Sequence, residues 1–499
     1  MSILACDPTY SHRLCPARLT SKVAAVAVMV FVFSTCAMIG RAPDDPELDA
    51  DIPAIVEQDV AAIPVEPPVI PEEDPVPDVY ESISLYVLSG DPEAAIAAYR
   101  AAELEDPDDP ATRVLLGNLM VAAGALDDAA RLFDSVIESD PDNIDAMFAR
   151  ALLAGHFGNR ALQEQLLMTV VAVDPENARG HAAIGEMLLQ QRRLDRAAEA
   201  FQKSATIDPE NVVAHVGLGN VQLRRERYQE AKSSFTRAIE IEPDSPFVYV
   251  DRSRALVRLY ELDAAHRDLD RAIDLEPDFA WNYVDRGRLR AEMGQFDDSI
   301  EDFDRAIESL PDVFLLYVYR ARVLDRVGRR AAAIDDFETA LAMNPEYYPA
   351  LAPLGTLYYI ENRWSEAAQA FRDAYRHNRS EHTFGLLTAL SLGRTDDGIA
   401  AARRYMREIV NDMPRDSLEY HLGRAIVESG YDAIATRRIN DERDPFRKAR
   451  MTFYLAAYYD LIERTRLAQT LYLEVERSNY PGLIETRLAV ERLREFRRD

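Results

Sequence analysis

Residues 117–141 read GNLMVAAGALDDAARLFDSVIESDP, and residues 287–311 read GRLRAEMGQFDDSIEDFDRAIESLP in the same register. In each stretch, apolar residues at helical spacing run up to a glycine, resume after it, and end at a proline. Two short helices joined by a tight turn fit that pattern. Working outward, Pro107, Pro141, Pro175, Pro209, Pro243, Pro277, Pro311 and Pro345 stand 34 residues apart without a slip. A fixed period of that length is the signature of a helix-turn-helix repeat.

The register also orders the side chains. Small residues recur where two helices must approach: Gly117, Gly185, Gly219, Gly287 and Gly355 in the first helix, and Ala129, Ala197, Ala231, Ala265, Ala333 and Ala367 in the second. Large ones are spaced to fill the gap: Phe133, Phe201, Phe235, Leu269, Phe303, Phe337 and Phe371. Gly90, Gly124, Gly158, Gly294 and Gly328 fall at the turn, where a left-handed residue ends a helix. Proline then stops the second helix, having no N–H for the ladder.

These residues resemble the tetratricopeptide-repeat family over about 76–379, roughly nine units. The resemblance implies an all-α fold, a right-handed superhelical solenoid of helix-turn-helix repeats with a helical C-terminal cap. One such repeat cannot bury its own apolar face, and stacking supplies the shared core. Two units depart from the pattern: the one ending at Pro175 has Gln163 and Leu167 in place of alanine and aromatic, and the last ends at Arg379.

Three consecutive units put arginine where others carry leucine or isoleucine (Arg252, Arg286, Arg320). The same units put aspartate before the bulky second-helix residue (Asp268, Asp302, Asp336). The two places change together, which predicts the interhelix ion pairs Arg252–Asp268, Arg286–Asp302 and Arg320–Asp336, since an unpaired buried arginine is costly. Arg150 breaks the pattern, facing Leu166.

Two places on come Asn220, Arg254, Arg288 and Arg322; one turn later come Arg224, Arg258 and Arg326, with Glu292 interrupting. Phe247 and Trp281 lie near the starts of their helices. In structures of the resembled family these first-helix places line the concave groove. Arginines beside aromatics suit an acidic peptide or a carboxylate-bearing chain end. The plain alternative is a solvated helix face balanced by Asp251, Asp285 and Asp325.

The formal charge of −29 argues against nucleic acid as partner. The three cysteines, Cys6, Cys15 and Cys36, all precede the repeats, so no disulfide framework or thiolate metal site supports them. Val23 to Gly40 is an uncharged, mostly apolar run behind Arg13, Arg18 and Lys22. Residues 1–40 thus read as an export signal or membrane anchor. Phe33-Ser34-Thr35-Cys36 resembles a relaxed bacterial lipoprotein box, which would make Cys36 the lipidation site; an uncleaved anchor, plain secretion and a chance apolar stretch stay open. Residues 41–79 hold nine prolines and twelve acidic residues against Arg41 alone. The acidic, proline-rich linker is taken as 41–75, an extended spacer.

Past Ser380 the strict period fades, leaving a helical cap over 380–499. Its segment TFYLAAYYDLIERTRLAQTLYLEVERSNYPGLIETRLAVERL reads as a helix pair followed by another helix. It resembles the closing elements of bacterial repeat lipoproteins of the new-lipoprotein-I type, which implies an envelope adaptor and a region that helps it dimerise. No catalytic constellation emerges. His181 and His215 occupy equivalent places and read as packing or groove residues; His377 and His382 lack partners at zinc spacing. There is no G-x-S-x-G elbow or phosphate loop, and Gly217-Leu-Gly219 has Gln222 where a third glycine would stand. The expectation is a non-enzymatic scaffold in the cell envelope, facing periplasm or exterior, without cofactor or metal, that binds a protein or acidic peptide. The alternative is a surface adhesin whose arginines bind acidic or sulfated polysaccharide.

Overall fold

A computed structural model describes residues 79–497 except 105 and 107. The N-terminal signal or anchor, Cys36, the whole acidic linker 41–75, the first three residues of the repeat region (76–78) and Pro107 lie outside the described residues. No strand occurs among those described.

The chain divides into two compact units between Glu276 and Pro277. The first holds six helix pairs: α1 (Val79–Leu88) with α2 (Pro92–Ala101), α3 (Pro110–Ala122) with α4 (Leu126–Ser139), α5 (Ile144–His156) with α6 (Arg160–Val173), α7 (Ala178–Gln190) with α8 (Leu194–Ile207), α9 (Val212–Arg224) with α10 (Tyr228–Ile241), and α11 (Pro246–Arg258) with α12 (Leu262–Leu275). The second holds α13 (Ala280–Glu292) with α14 (Phe296–Ser309), α15 (Phe314–Arg326) with α16 (Arg330–Met343), and α17 (Leu351–Ile360) with α18 (Trp364–His377). It continues with α19 (His382–Gly393) and α20 (Gly398–Ile409), α21 (Leu418–Val427) and α22 (Asp432–Asn440), α23 (Pro445–Leu461) and α24 (Thr465–Ser478), and ends on the single helix α25 (Ile484–Phe496).

The second helices of the repeats end two residues before Pro141, Pro175, Pro209, Pro243, Pro277, Pro311 and Pro345. Within hairpins, the glycines at 90, 124, 158, 294 and 328 turn the chain with φ between 69° and 81°. The same turn elsewhere forces Arg192, Glu226, Tyr260, Asn362 and Glu463 into the left-handed region, which costs a residue with a Cβ about 1–2 kcal/mol. Stacking therefore outweighs local preference at five turns.

Each core seat holds the residue its register predicts. Ala129, Ala197, Ala231, Ala265, Ala333 and Ala367 are fully buried, as are Phe133, Phe201, Phe235 and Phe371, with Leu269, Phe303 and Phe337 nearly so. A methyl on Gly217 would overlap the Phe201 ring, and one on Gly185 would sit 2.6 Å from the same ring. Glycines from two adjacent hairpins thus clasp one phenylalanine. In the second unit a single core runs from Ala280 to Leu493.

Candidate functional site: the exposed face of the first helices

Place each first helix against its own second helix through the glycine seat, and residues i, i+7 and i+11 share another face. In α11 these are Phe247, Arg254 and Arg258; in α13, Trp281, Arg288 and Glu292; in α15, Leu315, Arg322 and Arg326; and Asn220 and Arg224 stand at the matching places of α9. Arg224, Phe247, Arg258, Arg322 and Arg326 are exposed, and Asn220, Arg254, Trp281 and Arg288 half-buried.

The first unit orders its cations with neighbours on the same wall. Arg254 Nη1 donates to Asp251 Oδ1 at 3.1 Å, and that aspartate is buried. Arg258 Nε donates to the Tyr228 hydroxyl at 3.1 Å, its guanidinium 5.2 Å from the ring centroid. In the second unit Arg288 lies 5.5 Å from the Tyr319 ring and 4.0 Å from Asp285, and Arg326 lies 5.8 Å from the Phe296 ring. Among the described residues Arg322 makes no ion pair. Stacking on aromatics leaves a guanidinium's edge donors available to a carboxylate, the arrangement that favours forked recognition.

Behind this wall the Arg–Asp places form bidentate forks. Arg252 Nε and Nη2 donate to Asp268 at 2.8 and 2.7 Å, Arg286 to Asp302 at 3.1 and 2.7 Å, and Arg320 to Asp336 at 2.8 and 2.7 Å. Asp302 also accepts from Arg290 at 2.8 Å. Arg320 reaches Asp304 at 2.6 Å, and Arg252 reaches the Thr236 hydroxyl at 3.2 Å, both on the preceding second helix. That backward reach explains Arg150, which bonds Asp134 at 2.8 Å instead of anything near Leu166.

Sequence reasoning missed the tyrosines. Tyr249, Tyr283 and Tyr317 donate to the carbonyls of Pro243, Pro277 and Pro311 at 2.9, 3.0 and 3.0 Å. Their rings lie 5.6–5.7 Å under Arg252, Arg286 and Arg320. His181 and His215 take the same place, each with Nε2 against the carbonyl of Pro175 or Pro209 at 3.1 and 2.9 Å. A tyrosine three residues before each arginine was the available signal.

The balance expected from Asp325 needs correcting. Asp325 accepts from Arg487 Nη1 at 2.6 Å, a residue of the closing helix α25. The same helix offers Glu491 to Arg330 at 2.6 Å and Glu495 to Asn362 at 3.4 Å. Its other side is fixed by buried Glu485, which accepts from Arg450 at 2.8 Å and Tyr454 at 2.6 Å, and by Arg492, which donates to buried Asp460 at 2.7 Å. Within the second unit the exposed face ends here: in α17 the equivalent places, Thr356 and Ile360, are 1% and 9% exposed. Among the described residues no cluster of histidine, cysteine and carboxylates could hold a metal, and no helix is long and apolar enough to cross a membrane.

Residues 86–154 and 188–249 match one sequence profile of the tetratricopeptide repeat, and residues 147–212 and 319–382 match a second. These segments match the tetratricopeptide repeat, in keeping with the paired helices described above; such repeats generally mediate protein–protein interaction. DnaJ homolog subfamily C member 3 of Mus musculus is 31% identical over 105 residues, 21% of this chain and 21% of that protein. The chain thus matches about a fifth of that relative's length. Among solved structures, YrrB, described as a tetratricopeptide-repeat protein with an unusual peptide-binding site, is 22% identical, covering 37% of this chain and 95% of its own at a TM-score of 0.33. Pseudomonas aeruginosa pilF is 20% identical, covering 46% and 99% at 0.39.

Proposed function

We propose that this chain is a non-enzymatic scaffold whose first-helix arginines capture an acidic segment of a partner protein, and that its N-terminal region holds it in a bacterial cell envelope. The observation that carries the capture is the presence, on the helix face the hairpin core leaves uncovered, of aromatic-supported arginines in both units, Arg258 in the first and Arg288 and Arg326 in the second. Envelope tethering draws its support from the cationic flank, the apolar run Val23–Gly40 and the lipobox-like 33–36. The reading of 380–499 as an aid to dimerisation belongs to the same proposal and is tested by the solution mass of the full chain with and without that region; a mass that stays monomeric across a concentration series refutes it.

The capture test uses fluorescent decaglutamate on the full chain. Changing Arg254, Arg288 and Arg322 together to Gln should abolish binding while helicity stays unchanged; glutamine is chosen because buried Asp251 lies beside Arg254. Binding that survives refutes the wall. For the anchor, Cys36→Ala should stop radiolabelled fatty acid from entering the protein; continued labelling refutes lipidation at that residue.

A further inference from the structure

Arginines on the first-helix faces tend to stand one turn from a carboxylate of their own helix. Arg254 pairs with Asp251 at 3.1 Å, and Arg288 stands 4.0 Å from Asp285. Helix α15 departs from this. Tyr319 occupies that place, and the carboxylate Asp325 falls three residues after Arg322 and immediately before Arg326, where α11 and α13 have Val257 and Ala291. Residues three apart on a helix are neighbours, about 5–6 Å between Cβ atoms, so Asp325 is placed to take Arg322 for itself. It does not: Arg322 is exposed and, among the described residues, makes no ion pair.

Both oxygens of Asp325 are instead held by Arg487 of α25, Oδ2 accepting from Nη1 at 2.6 Å and Oδ1 from Nη2. The fork is half-buried, the carboxylate 17% and the guanidinium 33% exposed. Neighbours on α25 keep Arg487 in place. Glu485 accepts from Arg450 and Tyr454, Arg492 donates to Asp460, and Leu488 and Leu493 are buried in the unit's core. A bidentate fork between ionised groups is stronger than an exposed pair one turn apart. The carboxylate is thus tied off from outside its own helix. Arg322 is left to other carboxylates, on the same face as Arg326 over the Phe296 ring.

We propose that Arg487 is a specificity-determining residue of the second unit's face: by holding Asp325, α25 makes that face receptive to an acidic segment, and the segment in turn stabilises α25 where it docks. This rests on the reading of the first-helix arginines as a capturing face. Without Arg487 the face loses one positive charge and regains a carboxylate that pairs with Arg322 and repels the ligand. By linkage, the affinity that docked α25 adds for the ligand equals the stability that the ligand adds to docking.

The experiment titrates full-length chains with fluorescent decaglutamate at low salt. All but the natural chain carry Arg224→Gln, Arg254→Gln and Arg258→Gln, a background that leaves capture to the second unit. Adding Arg487→Gln should weaken binding about threefold, the effect of one unit charge about 7 Å away in water. Adding Asp325→Asn should tighten it about threefold, and Asp325→Asn with Arg487→Gln should bind as the background chain does. Decaglutamate should also slow amide exchange in α25 of the background chain. Unchanged affinity on Arg487→Gln overturns the proposal. A double variant as weak as Arg487→Gln alone shows that Arg487 only holds its helix in place, and overturns it too. Should Arg487→Gln undock α25, seen as fast exchange there, Asp325→Asn decides: affinity that fails to rise overturns the proposal. Exchange in α25 that ignores the ligand overturns the coupling. Binding lost in the background chain places capture in the first unit and overturns the role of Arg487, while no binding to the natural chain overturns the reading of the face itself.

Discussion

Hairpins α7–α8 and α9–α10 hold their helices together differently from α13–α14 and α15–α16. In the first pair of hairpins the seat is closed by shape: Gly185 and Gly217 admit one ring, that of Phe201, and Gly219 admits Phe235 so closely that a methyl would lie 2.5 Å from it. In the second pair the helices are also bridged by forks onto buried aspartates, and the glycine seat is looser. A methyl on Gly287 would meet its nearest neighbour at 3.2 Å, and Ala321 already fills the equivalent place of α15. The seat that relies on an interlocked ring needs glycine; the one that shares its load with an ion pair tolerates a side chain. Specificity of stacking can therefore be carried by volume in one stretch of an array and by charge in another.

The comparison breaks most severely at the charge. Asp302→Ala should cost about 3–5 kcal/mol, because it strands the guanidiniums of Arg286 and Arg290 in a half-buried site. Chemical denaturation followed by amide exchange in α13 and α14 measures it, and a loss under about 1 kcal/mol would show that the fork adds little. Next comes volume: Gly217→Ala should cost about 1–3 kcal/mol from overpacking against Phe201. Gly287→Ala should cost little, since helical alanine regains about 1 kcal/mol of backbone preference. Equal losses at the two glycines would erase the distinction drawn above.

The smallest effect concerns pH. Burial holds the His181 imidazole below its ordinary value, so the unfolded chain takes up a proton first as pH falls. Stability from this group is complete above about 6.5 and declines as pH drops from there toward the depressed folded value. His181→Tyr supplies the hydroxyl used at Tyr249 and should flatten that acid limb by less than about 1 kcal/mol. Melting temperature against pH reports it.

The sequence made the repeats legible because each hairpin poses the same packing problem, so glycine, alanine, aromatic and proline return every 34 residues. The forks were legible for the same reason: Arg252 and Asp268 sit in fixed register, and substitution at one place follows the other. Arg150 showed no partner in the sequence because its carboxylate, Asp134, lies on the preceding hairpin, and one exception sets no pattern. The closure by α25 left no trace of any period. Arg487 meets Asp325 across 162 positions, and nothing local in either helix marks the other. A wall inferred from register alone therefore had no visible end.

That closure also fixes when the second unit can finish folding. Most hairpins in such an array gain their contacts from near neighbours as the chain emerges. Hairpins α15–α16 and α17–α18, by contrast, wait for partners 133 to 162 residues downstream, in α25. Closing a loop of that length is slow relative to local helix pairing. During synthesis α17 lacks its packing against α25 until that helix emerges, so the apolar core they share stays incomplete, and open to aggregation, until the thirteen residues of α25 dock.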